Sequence, residues 1–233
     1  SAVHDFDTTA KKIDKKEIDR RIRLAQIYNK TLDPSKLADP YSEKEKKNAI
    51  SEYARMLEVK EKIGHVEIPK INQDLPIYAG TSEEVLQKGV GHLEGTSLPV
   101  GGKSTHTVLT AHRGLPTAKL FTDLNKMKKG DVFYIHNIKE VLAYKVIDVF
   151  VVEPSDFDKV LVVEGKDYCT LLTCTPYMIN SHRLLVRAER TEYNPAAVEK
   201  DLVSQVTGKY KIYLIISLII IAILLWYYIR QRR

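Results

Sequence analysis

The chain has 233 residues and a formal net charge of +6, which allows one ordinary domain with appendages. The excess of Lys and Arg does not form a basic patch with interleaved aromatic residues. In the N-terminal part the basic residues alternate with Asp and Glu, as on a solvated helix face. We therefore exclude nucleic acid as a partner.

Residues 1–57 form an N-terminal region of two predicted helices and a loop. Apolar residues at helical spacing, with charges between them, predict a helix from Thr8 to about Lys30. A second helix is predicted to begin near Ser42, because Ser42 and Glu45 have the spacing of a capping box. The intervening segment LDPSKLADPY contains two Asp-Pro pairs, which predict a loop.

From about Val59 the apolar residues recur with a period of two, which predicts short strands separated by turns. The predicted strands cover 65–71, 75–80, 105–112, 131–137, 142–153, 168–175 and 182–190. Because helices do not alternate regularly with them, residues 58–193 are predicted to form a mainly β domain, an antiparallel barrel or sandwich. Segments 82–95 and 117–131 are expected to contribute one or two helical turns each.

The C-terminal part predicts a membrane anchor. After a polar juxtamembrane connection over 194–211, residues 212–229 form a run without charge, Gly or Pro. A helix of that length spans roughly 27 Å, close to the hydrocarbon thickness of a bilayer. A buried core helix or a coiled-coil seam would show a polar stripe, which the run lacks. We therefore predict a transmembrane helix over 212–229 and a tail over 230–233.

The charges around this helix predict its orientation. Arg230, Arg232 and Arg233 follow the helix, which favours a cytoplasmic tail and an extracytoplasmic 58–193 domain by the positive-inside rule. Lys209 and Lys211 precede it, so the asymmetry is small. Because the first residues, SAVHDFD, contain no apolar segment, we expect an N-terminal signal or anchor upstream of this chain.

The two cysteines, Cys169 and Cys174, lie on one predicted strand. Five residues of strand place them on opposite faces and roughly 16 Å apart, whereas a disulfide needs Cα atoms within about 6.8 Å. Free thiols are unusual in proteins outside the cytoplasm, because extracytoplasmic compartments oxidise them. Cys174, at the strand end, is the candidate nucleophile, and an inert buried thiol is the alternative.

A thiol nucleophile needs a neighbouring cation, a proton donor and a group that binds the oxyanion. His112 ends a predicted strand beside a turn, where functional side chains are often positioned. Arg183 is the second residue of the predicted strand 182–190, the next strand after the one that carries Cys174. His106 and His182 remain alternatives as the proton donor on this reasoning alone.

The segment Thr170-Leu171-Leu172-Thr173-Cys174 resembles the signature that carries the nucleophile of the sortase family. Residues 110–114, Thr-Ala-His-Arg-Gly, are similar to the family's histidine segment, and Arg183 matches its catalytic arginine in position. The resemblance implies an eight-stranded antiparallel β-barrel and a catalytic set of Cys174, His112 and Arg183. It also implies cleavage of a Leu-Pro-any-Thr-Gly sorting signal through an acyl-enzyme, with no cofactor. The histidines and acids show no metal-ligand spacing.

The segment Asp39-Pro40-Tyr41 resembles the lid of class C sortases, which assemble pili in Gram-positive bacteria. Asp39 is expected to pair with Arg183 and Tyr41 to shield Cys174. Exposed ion pairs are worth only about 0–1 kcal/mol, so we expect such a lid to open when substrate competes. A plain interhelix turn is the alternative reading. The other pair, Asp33-Pro34, lacks a following aromatic residue.

The class C resemblance implies that the partners are pilin subunits, which supply the sorting signal and an acceptor lysine. Two other functions stay open at this point. The first is a housekeeping or class B-like sortase that attaches proteins to cell-wall peptide, against which the lid segment and the C-terminal anchor argue. The second is a non-catalytic, membrane-anchored binding module, which would make the spacing of Cys174, His112 and Arg183 a coincidence.

Overall fold

The computed structural model describes residues 1–42 and 52–231. Its first part contains two helices, α1 (Ala2–Ala10) and α2 (Lys15–Lys30), so the prediction of a single helix over 8–30 was wrong. The break has a local cause. The Asp14 carboxylate accepts a hydrogen bond from the Lys16 amide at 2.9 Å and caps a new helix.

The loop after α2 contains a short 3₁₀ turn, Pro34–Lys36, and the Asp33 carboxylate caps it by accepting from the Ser35 amide. Most of the predicted second helix falls on 43–51, outside the described residues. Its end is a single 3₁₀ turn, Arg55–Leu57, rather than an α-helix. Leu57 is fully buried in the barrel core, and this packing fixes the turn.

Residues 62–191 contain the strands of a closed barrel, which confirms the mainly β fold class. In the described part of the chain the barrel has eight strands, in the order β1-β2-β3-β4-β7-β8-β6-β5. Most neighbouring pairs are antiparallel, but β2–β3 and β4–β7 are parallel. The strands are β1 (Lys62–Ile68), β2 (Gln73–Ala79), β3 (Val90–His92), β4 (Thr105–Thr110), β5 (Val132–His136), β6 (Val141–Val152), β7 (Asp167–Thr175) and β8 (His182–Thr191).

Two segments between the strands differ in detail from their helical predictions. Segment 82–95 contains a short helix, α3 (Glu83–Lys88), and then strand β3, which the sequence pattern did not indicate. Segment 117–131 contains only the 3₁₀ turn Leu124–Lys126. Leu124 and Phe121 are fully buried there, so contact with the core fixes this segment without a regular helix.

The barrel has one large apolar core and a second, smaller cluster. The large core also receives Phe6 of α1 and Ile22 and Ala25 of α2, so the N-terminal helices are packed onto the barrel. The smaller cluster includes Val108, Leu172 and Leu185, against which Tyr41 packs. This smaller cluster lies under the lid segment.

The C-terminal helix α4 (Pro195–Gln231) forms a compact unit of its own with the other residues from Asn194 onward. Residues 195–211, predicted as a polar connection, belong to this helix. Pro195 stands at its first position, where its missing amide hydrogen costs nothing. Tyr210–Gln231 is long and apolar enough to cross a membrane, which agrees with the predicted anchor.

Candidate active site

Three neighbouring strands bring Cys174, Arg183 and His112 to one end of the barrel. Because β4 and β7 are parallel, their last residues lie at the same end, and β8 starts there because it is antiparallel to β7. Cys174 lies directly opposite Arg183 in the register of β7 and β8. His112 follows β4 by two residues. All three side chains line one cavity of about 340 Å³.

The two cysteines have different environments, as the strand parity predicts. Both are free and buried. Cys169 is inaccessible within the large core, and burial raises the pKa of its thiol well above the ordinary value. Cys174 keeps 7% of its surface exposed and faces the cavity. Only the Cys174 thiol is therefore placed to meet a bound molecule.

The charges around Cys174 oppose one another. Burial raises the pKa of the thiol to about 11, and the Asp39 carboxylate contributes to the increase. The guanidinium groups of Arg183 and Arg113 act in the other direction because they stabilise a thiolate. In this arrangement Cys174 is a neutral thiol at neutral pH.

The His112 ring is held between the lid segment and helix α3. Its centroid lies 5.7 Å from that of Tyr41, and its Nε2 atom lies 3.5 Å from Oε1 of Glu83. Neither of the two histidines that were alternatives is among the described residues that line this cavity. His106 is fully buried and contacts Thr170 and the Leu161 carbonyl, and burial lowers its pKa to about 4. His182 pairs with Glu153 at 3.1 Å.

Arg183 forms a bidentate ion pair with Asp39. Both N–O distances are 2.7 Å, and the side chains are only 8% and 15% exposed. The magnitude expected for an exposed pair therefore does not apply, because burial increases both the attraction between the two charges and the cost of desolvating them. The guanidinium also donates to the backbone carbonyls of Asn180 and His182, both at 2.9 Å, which fixes its position at the head of β8.

Tyr41 covers the same site. Its hydroxyl donates to the Ala111 carbonyl at 2.5 Å and lies 2.7 Å from the Thr110 hydroxyl. The Arg183 guanidinium lies 5.2 Å from the centre of the Tyr41 ring, within the range of a cation–π contact. Burial raises the pKa of the phenol above its ordinary value. Asp39-Pro40-Tyr41 thus contacts the strand ends that carry Arg183 and His112.

Sequence reasoning missed two charged side chains of this cavity. Arg113 donates through Nη1 to the Thr175 hydroxyl at 2.7 Å, and Glu83 lies beside His112. The residue after His112 was visible in the Thr-Ala-His-Arg-Gly segment, but nothing in the pattern connected Glu83 with this site. Within residues 1–42 and 52–231, no three His, Cys, Asp or Glu side chains are placed to share a metal ion.

Solved structures of high similarity come from streptococci. Sortase C-1 of Streptococcus pneumoniae is 62% identical, with a TM-score of 0.81, and the match covers 83% of this chain and 99% of that one. A pilus-related sortase C of Group B Streptococcus is 60% identical, with a TM-score of 0.79 and coverage of 82% and 97%. At these identities the likeness extends beyond the fold.

Curated relatives match over a shorter region. Sortase A of Bacillus anthracis is 33% identical over 135 residues, which are 57% of this chain and 61% of that protein. Sortase D of Bacillus subtilis is 31% identical over 114 residues, with 49% and 54% covered. The matches thus span a little over half of the length of these relatives. Residues 66–191, more than half of this chain, match the sortase domain. The chain therefore belongs to the sortase family, whose members are cysteine transpeptidases.

Proposed function

We propose that this protein is a class C sortase, a transpeptidase that joins pilin subunits, with Cys174 as its nucleophile. The observation that carries the proposal is the register of β7 and β8, which sets Cys174 opposite Arg183 in a cavity that His112 also lines. The pilus role is supported by the pilus-related sortase C of Group B Streptococcus, which is 60% identical.

In the first half of the reaction, the Cys174 thiol loses its proton to solvent, and the thiolate attacks a sorting signal similar to Leu-Pro-any-Thr-Gly at the Thr carbonyl. A carbon–sulfur bond forms, and Arg183 stabilises the oxyanion of the tetrahedral intermediate with its guanidinium. The Thr–Gly bond then breaks, and the Gly nitrogen takes a proton from the His112 imidazolium. The product is a thioester on Cys174 and a free amine.

In the second half, a lysine amine of the next pilin subunit attacks the thioester. His112, now a neutral imidazole, accepts the proton that the amine loses, and Cys174 leaves as a thiolate. An isopeptide bond between the two subunits results. The same imidazole therefore acts first as the general acid and then as the general base.

We further propose that Asp39, Pro40 and Tyr41 form a regulatory lid. Asp39 occupies the guanidinium that the oxyanion needs, and Tyr41 packs over the strand ends beside His112. A substrate must displace both groups before it reaches Cys174. Without substrate, the Asp39–Arg183 ion pair and the Tyr41 hydroxyl contacts hold the lid over Cys174.

The expected layout of the chain follows from this function. An N-terminal region with the lid (1–57, lid about 32–42) precedes the catalytic barrel (58–193). The juxtamembrane segment (194–211), the transmembrane helix (212–229) and a cytoplasmic tail (230–233) follow. The barrel then lies on the extracytoplasmic side of the membrane, where the surface proteins that carry sorting signals are found.

Mass spectrometry tests the proposal. The purified full chain is mixed with a sorting-signal peptide, and we expect a thioester on Cys174 that the Cys174→Ala variant does not form. A Cys174→Ala protein that still cleaves the peptide would overturn the assignment, and the absence of any thioester on the wild-type protein would favour a binding module. Addition of pilin or of a peptidoglycan stem peptide then identifies the acceptor. Transfer to the stem peptide alone would indicate a cell-wall-anchoring sortase instead.

A further inference from the structure

The carboxylate of Glu83 lies close to the Nε2 atom of His112. Its Oε1 atom lies 3.5 Å from Nε2 of the imidazole, and both side chains line the cavity that contains Cys174. In the part of the chain that the structure describes, this Nε2 atom is buried and has no hydrogen-bond partner. A small rotation of either side chain closes the remaining gap to hydrogen-bond distance.

The local fold directs Glu83 into the cavity. The Ser82 hydroxyl accepts a hydrogen bond from the Val85 amide and caps α3, so Glu83 and Glu84 both stand in the first turn. Val85 is fully buried and fixes the rotation of the helix. Glu84 therefore points elsewhere and pairs with Lys88 at 2.7 Å. The chain thus provides two adjacent carboxylates, of which one lies beside His112.

We propose that Glu83 is a positioning residue that holds His112 through Nε2, an inference that rests on the proposed function. A neutral imidazole carries one N–H, and a carboxylate at Nε2 selects the tautomer with its hydrogen there. Nδ1 is then the nitrogen left for the reacting atoms. It carries the proton that the Gly nitrogen receives when the Thr–Gly bond breaks, and it accepts the proton of the attacking lysine amine.

Kinetics with two leaving groups test this role. The variant is Glu83→Gln, and Glu84→Gln is the matched control, since each removes one charge from the first turn of α3. Thioester formation on Cys174 is followed in single turnover with a sorting-signal peptide amide. It is also followed with the same peptide carrying a thioester at the scissile position. A thiolate leaves without a proton, so only the amide depends on the orientation of His112.

We expect Glu83→Gln to slow acylation by the amide about tenfold. This is less than the roughly 10⁴-fold effect of neutralising a fully buried Asp–His pair, because Glu83 is 41% exposed. Acylation by the thioester should change by less than about twofold, and Glu84→Gln should match the wild type on both substrates, as expected of a surface charge. Equal losses on both substrates, or none on either, would overturn the proposal.

A second measurement reports the tautomer directly. With ¹⁵N-labelled histidine, the ring nitrogens of His112 are assigned by comparison with His112→Asn. We expect the wild type to carry the hydrogen on Nε2 and Glu83→Gln to shift it toward Nδ1. An unchanged tautomer in Glu83→Gln would overturn the role of Glu83 while leaving the enzyme assignment intact. Absence of a thioester on wild-type Cys174 with either substrate would instead contradict the proposed function.

Discussion

At Cys174, burial and three neighbouring charged side chains together set the pKa of the thiol. Burial raises the pKa to about 11, Asp39 adds to the increase, and Arg183 and Arg113 oppose it. Asp39 therefore acts on Cys174 in two ways in the closed arrangement. It contributes its own negative charge, and it engages the guanidinium that would otherwise stabilise a thiolate.

Asp39→Ala should lower the pKa of Cys174, because the variant removes a negative charge and releases Arg183. A decrease of one unit increases the thiolate fraction about tenfold at neutral pH. We therefore expect at least about tenfold faster alkylation of Cys174 by iodoacetamide at pH 7. Asp33→Ala is the matched control, since Asp33 begins the other Asp-Pro pair and its carboxylate caps the 3₁₀ turn Pro34–Lys36 by accepting from the Ser35 amide. Identical pH–rate profiles for Asp39→Ala and the wild type would contradict this account.

Tyr41→Phe should loosen the lid without removing its ring. The variant loses the hydroxyl contacts with the Ala111 carbonyl and the Thr110 hydroxyl, and the loss of one such hydrogen bond costs about 0.5–1.5 kcal/mol net. The Ala111 carbonyl keeps its bond from the Thr173 hydroxyl at 2.8 Å, so it is not left unpaired. We expect about two- to tenfold faster alkylation of Cys174, and a larger increase for Tyr41→Ala.

The matched control for Tyr41 is Tyr177→Phe. Tyr177 lines the same cavity, but 55% of its surface is exposed. In the Tyr177→Phe variant, Cys174 should be alkylated at the wild-type rate. Equal rates for Tyr41→Phe, Tyr41→Ala and the wild type would show that the ring does not limit access to the thiol.

At the residue scale, part of the candidate site could be predicted from the sequence. The resemblance of their segments to the sortase family was enough to group His112, Cys174 and Arg183, whereas strand position alone left His106 and His182 as alternatives to His112. Glu83 was not readable, because its contact with His112 depends on the rotation of α3, which the burial of Val85 sets. The burial of the Asp39–Arg183 pair could not be predicted either, since burial is a property of the fold.

At the scale of elements, helix α1 is attached to the barrel by a buried histidine. His65 of β1 contacts Asp74 of β2 at 2.6 Å and Asp7 of α1 at 3.1 Å. Its ring stacks on His136 at 4.1 Å, and His136 in turn pairs with Glu67. Burial disfavours the charged imidazole, but the carboxylates of Asp74 and Asp7 outweigh it and raise the pKa of His65.

This network predicts a pH-dependent stability. Because the folded-state pKa of His65 is raised, the folded chain holds its proton more tightly than the unfolded chain does. The stabilisation is complete below the unfolded pKa, near 6.5, and is lost as pH rises through the folded pKa. In urea denaturation between pH 6 and pH 9, the wild type should therefore lose more unfolding free energy than His65→Gln. Parallel pH dependences would exclude this role for His65.

Elements differed in how well their sequence predicted them. The longer strands were readable because alternation over several residues is a strong signal. Strand β3, only Val90–His92, was too short for alternation and follows α3 directly. The boundary between α1 and α2 was missed because it depends on one local hydrogen bond, which the Asp14 carboxylate accepts from the Lys16 amide.

At the scale of the whole molecule, the barrel and the C-terminal helix are separate compact units, Ser1–Tyr193 and Asn194–Arg233. The period of two predicted a β domain, but not which strands become neighbours. The parallel pairing of β4 with β7 joins residues about 60 positions apart through a long connection, and such a pairing leaves no mark in local periodicity. The apolar helix was readable because its composition alone predicts it.

The membrane assignment predicts the behaviour of the full chain in cell fractions. Ile219→Arg combined with Ile220→Arg places two charges at the middle of Tyr210–Gln231. Each arginine costs about 2.5–3.5 kcal/mol on insertion into the membrane. We therefore expect the double variant in the supernatant after the membranes are washed with carbonate. The pair Ile219→Leu and Ile220→Leu is the matched control and should stay in the pellet. Retention of the double arginine variant in the pellet would contradict a membrane span.

The bond between Asp39 and Arg183 joins residues 144 positions apart in one chain, so the proposed lid is a competitor that never diffuses away. A group tethered in this manner has an effective concentration in the millimolar range. A free peptide at micromolar concentration competes poorly with it, whereas the proposed substrate, a pilin held in the same membrane, has a high local concentration of its own. Assays with soluble peptides should therefore understate the turnover of this enzyme, and the shortfall should shrink when both partners are reconstituted in one vesicle.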